Sequence, residues 1–438
     1  MKDHHKGGLL DLDRRSRERV CARRAGQSDD WISLANRMHA NAGRDSDIGR
    51  RPCWPPFGLY LSAFRSGRWP LMRATATCHR HLFQVPVRMS HFFAVSYLVP
   101  PASLLEEMAW IRDLGVRQVE LPLEQEASEM QQVKVLSAIQ NLLAENCRVA
   151  AVLRPSRGAQ QEPEGWHQFC FWLLAQAGWQ LERVQLGDEL ATLVRGQKNV
   201  TETSQLFSHV ARLRQDYPGV ALQAPGLARF DAYRLVQVLQ QLLPAGNHWD
   251  GMTVLAPAWQ ALESVGGDDA FLQQLTLAAA VALRFGMATD RLQISFPPPP
   301  AGCDQAAEER IAGSVVRRAM LALSSGMAGR VAIGMDPAIR VSERRVLSNA
   351  IRELMTQLEG ARFERRIWDG DATRDFVLEF SRIGKPPVLV GWTDGEPRQV
   401  SAPFRIGVAC DYLSRPVPMI PHPRIRLTRN MAYFSGEK

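Results

Sequence analysis

From residue 91 onward the chain alternates short apolar runs with longer stretches in which apolar positions recur at helical spacing. Phe92–Tyr97 has the length and content of a first strand. Ser103-Leu104-Leu105-Glu106 forms a capping box, after which Met108, Ile111 and Leu114 mark one face of a helix that Gly115 stops. The same alternation then predicts strands at 116–121, 148–153, 183–186, 220–223, 251–255, 291–296 and 330–333. Helices are predicted at about 127–145, 164–177, 203–216, 230–243, 269–285, 305–324 and 343–358.

Eight strands interleaved with eight helices in about 270 residues is the count for an α/β fold of the (β/α)8 or TIM-barrel type. A doubly wound open sheet is the alternative, but it favours fewer units and a Gly-rich first turn, which this chain lacks. After Gly360 the pattern changes. Phe376–Phe380, Val388–Trp392 and Arg398–Val400 are strand-like and joined by turn residues such as Thr393-Asp394-Gly395-Glu396, which predicts a small C-terminal all-β domain. Pro416–Pro423 is expected to be irregular.

Composition changes the picture mainly at one end. The net charge of +8 suggests a polyanionic partner, but residues 1–88 hold 17 Lys+Arg against 8 Asp+Glu, whereas the remainder holds 36 against 37. Residues 1–88 also lack sustained periodicity. They are read as a basic, disordered or mis-assigned extension with Met89 as an alternative start, residues 89–360 as the barrel and 361–438 as the β-domain. The competing reading of the extension, a nucleic-acid arm, predicts salt-sensitive DNA binding that a chain starting at Met89 would lose. No nucleic-acid partner, metal or cofactor is expected. The seven cysteines lack pairing or zinc-finger spacing, and neither a secretory h-region nor a run of about 18 apolar residues is present, so a cytoplasmic location without a membrane span is expected. Oligomeric state is not legible.

The candidate chemistry sits where barrel strands end. Arg183-Val184-Gln185-Leu186 runs into Gly187-Asp188-Glu189, placing Glu189 at the C-terminal end of strand four, where barrel enzymes keep their reactive groups. Glu189 read instead as a helix N-terminal acid is the bland alternative. Glu120 and Glu124 lie toward the end of strand two, Arg154 follows strand three, and Asp336 follows strand eight in Gly334-Met335-Asp336. Glu124 as a helix cap, Asp336 as a solvated turn acid and Arg154 as a loop ion pair are the competing readings. Asp250 begins strand six and so belongs to the opposite end. Trp259, just past strand six, can stack on the apolar face of a pyranose. Trp166, Phe169 and Trp172 recur at helical spacing and are expected in the core.

In this order the segments resemble the retaining (β/α)8 glycosidases of clan A. Gly187-Asp188-Glu189 resembles the family's Gly-Asn-Glu, Pro218–Gly226 its fifth strand and loop, and Ala306–Val331 its seventh helix running into strand eight. Ala350–Phe363 with Pro387–Thr393 resembles the junction to the β-domain that many members carry. The resemblance implies a saccharide ligand, Glu189 as general acid/base, and Asp188 where the family has an asparagine that contacts the sugar. It also exposes departures. In Gln293-Ile294-Ser295-Phe296-Pro297, Phe296 occupies the position of the family's nucleophilic Glu, and Val254–Trp259 lacks the usual sixth-strand His or Tyr. A phenyl ring cannot form a glycosyl-enzyme intermediate. Asp336 or Glu124 is then the expected second carboxylate, with Asp188, Arg154, Trp259 and Phe296 around the sugar. A retaining pair requires a separation of about 5–5.5 Å and an inverting pair about 6.5–9.5 Å. The alternative is a noncatalytic saccharide-binding or scaffold protein of cell-surface polysaccharide metabolism.

Overall fold

The computed structural model describes residues 86–437 except 102–103, 157, 160, 188–204, 229–248, 257–266, 288–291, 301, 338, 340–343, 368–370 and 372–373. The basic segment up to residue 85, Ser103, Asp188, Glu189, the predicted helix 230–243 and Trp259 lie outside the described residues.

Eight parallel strands close into a barrel in chain order: β1 Phe93–Tyr97, β2 Gln118–Glu124, β3 Arg148–Arg154, β4 Arg183–Leu186, β5 Ala221–Ala228, β6 Gly251–Leu255, β7 Leu292–Phe296 and β8 Arg330–Met335. β1 pairs with β8 through Phe93↔Val331 to Tyr97↔Met335, which completes the ring. Described helices between the strands include Leu104–Leu114, Glu129–Ala144, Pro163–Ala177, Gly267–Arg284, Gln305–Ser325 and Arg345–Leu358. Ser128 caps the second of these through a complete capping box with Gln131. Gly326, at φ +63°, ends the Gln305–Ser325 helix in the left-handed conformation that suits glycine.

Each strand has two unlike faces. Val119 and Leu121 of β2, Val184 and Leu186 of β4, Leu292, Ile294 and Phe296 of β7, and Val331 and Ile333 of β8 belong to one apolar cluster with Ile111, Trp166, Leu275, Val315 and Leu354 from the helices. Alternate residues face inward. Arg183 of β4 donates to Glu120 of β2, and the Thr253 hydroxyl of β6 donates to Gln185 of β4 at 2.6 Å. Bonds between alternate strands of a closed barrel cross its interior. The register carries the same facing around the ring: Ser96↔Glu120↔Ala150↔Arg183, Gln185↔Gln223, Thr253↔Gln293, and Ser295↔Ala332.

Four strands extend past their predicted ends. β2 continues through Pro122 to Glu124, β3 by one residue to Arg154, β5 through a bulge between Ala224 and Leu227, and β8 to Met335. Pro122 lies past the last β1–β2 register pair, Ser96↔Glu120, so one flank of β2 is an unpaired edge there, where proline is tolerated, and a Pro-Gly pair in β5 is accommodated by the bulge. Met89–Phe92 forms a helical turn before β1, and its Met89 and Phe92 side chains are buried.

The C-terminal region is an antiparallel five-stranded sheet, ordered β13-β15-β11-β10-β9, and a two-stranded ribbon, β12-β14. The strands are β9 Ala361–Arg366, β10 Asp375–Arg382, β11 Lys385–Thr393, β12 Arg398–Ser401, β13 Ile406–Asp411, β14 Arg424–Leu427 and β15 Ala432–Gly436. Four of them do not stand out in the sequence: β9, β13 and β15 alternate weakly, and β14, Arg424-Ile425-Arg426-Leu427, alternates but is only four residues long. The sheet joins the barrel around Asp268, whose carboxylate accepts from Trp392 Nε1 at 2.8 Å and Arg317 Nε at 2.8 Å. Asp394 accepts from the Asp268 backbone N–H at 2.7 Å, and burial together with the neighbouring Asp268 raises its carboxyl pKa above the usual range. Among the described residues no helix is long and apolar enough to cross a membrane.

Candidate functional site

The C-terminal ends of the strands form the barrel mouth, and β2 and β3 deliver a facing charge pair to it. Glu124 and Arg154 are register partners at the last positions of their strands, on the inward-facing alternation set by Glu120 and Ala150. Arg154 Nη1 donates to the Leu98 carbonyl at 2.7 Å, just past β1, and lies 3.4 Å from Glu124 Oε1. The Glu124 side chain is 57% exposed and that of Arg154 22%. Glu124 is therefore open to a ligand, while Arg154 is held by backbone and carboxylate together.

Glu120 has a different setting from the one its place in the sequence suggests. Because β2 runs on to Glu124, Glu120 lies mid-strand and buried, tied to the equally buried Arg183. It is a core ion pair beneath the mouth. Asp250 precedes β6, at the opposite end of the barrel, and accepts from Leu222 N and Arg214.

Asp336 follows β8 and is half-buried. Its carbonyl accepts from Arg344 Nη2 at 2.9 Å, and Arg344 Nη1 donates to Glu107 Oε2 at 2.8 Å. Glu107 also accepts from the Tyr97 hydroxyl at 2.7 Å. Burial, reinforced by Glu107, pushes the Tyr97 phenol pKa far up, so it stays protonated and donating. The Arg344 guanidinium sits 5.3 Å from the Trp110 ring centroid. This buried Tyr97–Glu107–Arg344 network fixes the turn that carries Asp336. Sequence reasoning missed it, because Arg344 lies 237 positions from Glu107 and the three residues share no motif. Asp336 also lines a cleft of about 730 Å³ between the segments after β7 and β8, with Pro299, Glu308, Ile311, Arg345 and Leu413 among its walls.

Asp188 and Glu189 lie outside the described residues, but the backbone that leads to them does not. Gly187 adopts φ +102°, a conformation available to glycine without strain. Its carbonyl accepts from Gln185 Nε2 at 2.8 Å, and its N–H donates to Leu153 at 2.8 Å. The Thr253–Gln185–Gly187 chain thus anchors the turn after β4, a second support that no sequence motif announces.

Phe296, expected beside the sugar, is 1% exposed and sits with Leu292 and Ile294 in the strand–helix core. The inward residues of β7 are Gln293 and Ser295, so this strand offers no carboxylate to the interior. Beyond Phe296 the proline run presses on β8. A Cβ on Gly334 would lie 2.7 Å from the Phe296 carbonyl oxygen and 2.8 Å from Pro298 N, so only glycine fits there. Trp166 and Phe169 are buried in the core and Trp172 packs partly against it. Among the described residues no group of three or more His, Cys, Asp or Glu side chains is arranged to hold a metal ion.

The architecture matches solved glycosidases in three dimensions. A family 39 glycoside hydrolase from the gut symbiont Bacteroides cellulosilyticus WH2 superposes with a TM-score of 0.58 at 13% identity, over 81% of this chain and 83% of that one. A GH30 endoxylanase from Clostridium papyrosolvens C71 gives 0.52 at 10% identity, over 81% and 98%. A GH39 enzyme from Xanthomonas axonopodis pv. citri gives 0.52 at 11% identity, over 82% and 96%. The fold shared with these glycoside hydrolases is a closed (β/α)8 barrel, here followed by a small antiparallel β region. No protein-family model matches the chain, and no curated protein does.

Proposed function

We propose that the protein binds or cleaves a saccharide at the C-terminal mouth of the barrel, with Glu189 as general acid/base and Glu124 or Asp336 as the second carboxylate. In this reading residues 89–360 form the barrel, 361–438 the β-domain, and 1–88 a separate extension. The observation that carries it is the Glu124–Arg154 pair, which stands at inward-facing, strand-terminal positions of a glycosidase-like barrel. Arg154 supplies fixed donors for sugar hydroxyl or carboxylate oxygens, and Asp188 and Trp259 supply an acceptor and a stacking face.

The test is an oligosaccharide panel incubated with the purified full chain and with Glu189→Gln. A general acid contributes about 10²–10⁴-fold, so hydrolysis is expected to fall by that much. Unchanged turnover in Glu189→Gln removes Glu189 from the mechanism.

A noncatalytic reading, as a saccharide-binding or scaffold protein in cell-surface polysaccharide metabolism, has its own observation: β7 presents Gln293 and Ser295 inward where a retaining enzyme needs a carboxylate. On that reading oligosaccharides bind without turnover, and Arg154→Gln weakens binding.

A further inference from the structure

The two-stranded β12–β14 ribbon carries a charge distribution unlike that of the rest of the folded chain. Between residues 398 and 429 the sequence holds six arginines and one aspartate, with no lysine or glutamate. The register sorts them. Gln399 pairs with Arg426 and Ser401 with Arg424, and these four are the exposed residues of the ribbon. Val400, Ile425 and Leu427 point the other way and are buried in a cluster with Val377, Leu389 and Phe434 of the large sheet.

The ribbon is held rigidly. A Cβ on Gly391 would lie 2.8 Å from Leu427 Cδ2, so the glycine lets β14 settle directly on β11. Thr393 N donates to the Thr428 carbonyl at 2.9 Å and pins the strand's end. On the inward side Arg398 is neutralised by Asp375 at 3.1 Å. On the outward side Arg424 reaches only the Gln399 amide oxygen at 3.5 Å, and Arg426 has no ion-pair partner among the described residues. Arg429, past the end of β14, is exposed and lies near the half-buried Asp394. Glu396 is the exposed acid of the turn before β12.

We propose that this outward face binds a polyanionic polysaccharide, one bearing uronate carboxylates or sulfates along its length. Arg424 and Arg426, two residues apart on one strand, stand about 7 Å from each other, and each guanidinium offers a planar fork that matches a carboxylate or sulfate. Gln399 and Ser401 add neutral hydrogen-bonding groups suited to sugar hydroxyls. The four outward residues include no aromatic side chain, which a single-stranded nucleic acid needs for base stacking. Preference for a polysaccharide over other polyanions rests on the function proposed above.

The experiment compares the full chain with Arg424→Gln/Arg426→Gln and with Glu189→Gln, using polygalacturonate, neutral dextran and a 20-base-pair DNA duplex as probes in low salt. The basic N-terminal segment contributes to every polyanion alike, so the difference between variants is what reads the ribbon. The double variant is expected to lose roughly tenfold or more in polygalacturonate affinity, with dextran and DNA unchanged. The acid/base assignment is read separately, from turnover of the oligosaccharide panel by Glu189→Gln, so its failure stays distinct from a failed binding surface. Unchanged polygalacturonate binding in the double variant overturns the proposal. So does a loss as large for DNA as for polygalacturonate, which makes the ribbon a general polyanion or nucleic-acid surface. Circular dichroism of the double variant, whose altered residues are exposed, confirms that the fold is retained.

Discussion

The outer and inner faces of the same eight strands are built on opposite principles. Outward, residues such as Ile294, Phe296 and Val331 meet the helices in a continuous apolar layer, where burial is non-directional and nearly any well-sized hydrophobe contributes. Inward, Glu120, Arg183, Gln185, Gln223, Thr253 and Gln293 are buried polar residues in a space that a barrel more often fills with branched aliphatics. Burying such groups is costly unless they are partnered, as Glu120 is by Arg183 and Gln185 by Thr253, whereas the Gln293 amide has no hydrogen-bond partner among the described residues. The contrast teaches that one face sets the fold and the other holds the mouth, since the Thr253–Gln185–Gly187 chain ends at the turn leading to residues 188 and 189.

The largest effect that can break this contrast lies at Glu120. Replacing it by alanine leaves Arg183 charged and buried without its partner, and a loss of about 3–5 kcal/mol in unfolding free energy is expected by denaturant titration. The double variant Glu120→Leu/Arg183→Met should recover most of that loss. If it is as unstable as the single variant, the pair is not the reason for the inner face's sensitivity.

Thr253→Val tests the inner face at constant shape. It leaves Gln185 Oε1 buried without its donor, at an expected cost of about 1–3 kcal/mol. If the function proposed here holds, kcat should fall along with stability, because Gln185 also holds the turn before Glu189.

On the outer face, Ile294→Val removes one methylene from a fully buried site, and the expected loss is about 0.5–1.5 kcal/mol, with saccharide binding unchanged. A fall in kcat comparable to that of Thr253→Val would erase the distinction between the two faces.

Much of the fold was legible. The eight barrel strands were found within a few residues of their ends, because each carries an apolar outer set between turn residues. Most of the described helices followed from the spacing of their apolar positions and from stop residues such as Gly326. Less of the site was legible. Arg154 and Glu124 were found as strand-end residues, but their direct pairing depended on β2 continuing through Pro122. Phe296 was placed correctly along β7, yet its side chain faces the helices, because facing is fixed by register with β6 and β8. The Tyr97–Glu107–Arg344 network gave no signal, since Arg344 lies 237 positions from Glu107.

The sequence by itself therefore determined the alternation of strand and helix, the closed parallel barrel that this alternation favours, and the change to β structure after Gly360. These follow from local periodicity and turn chemistry, which act over a few residues. Only the tertiary structure decided which polar residues meet inside the barrel, which carboxylates reach its mouth, and that Arg424 and Arg426 share one open face. Those outcomes depend on strand register and closure, which bring together side chains that no local pattern relates.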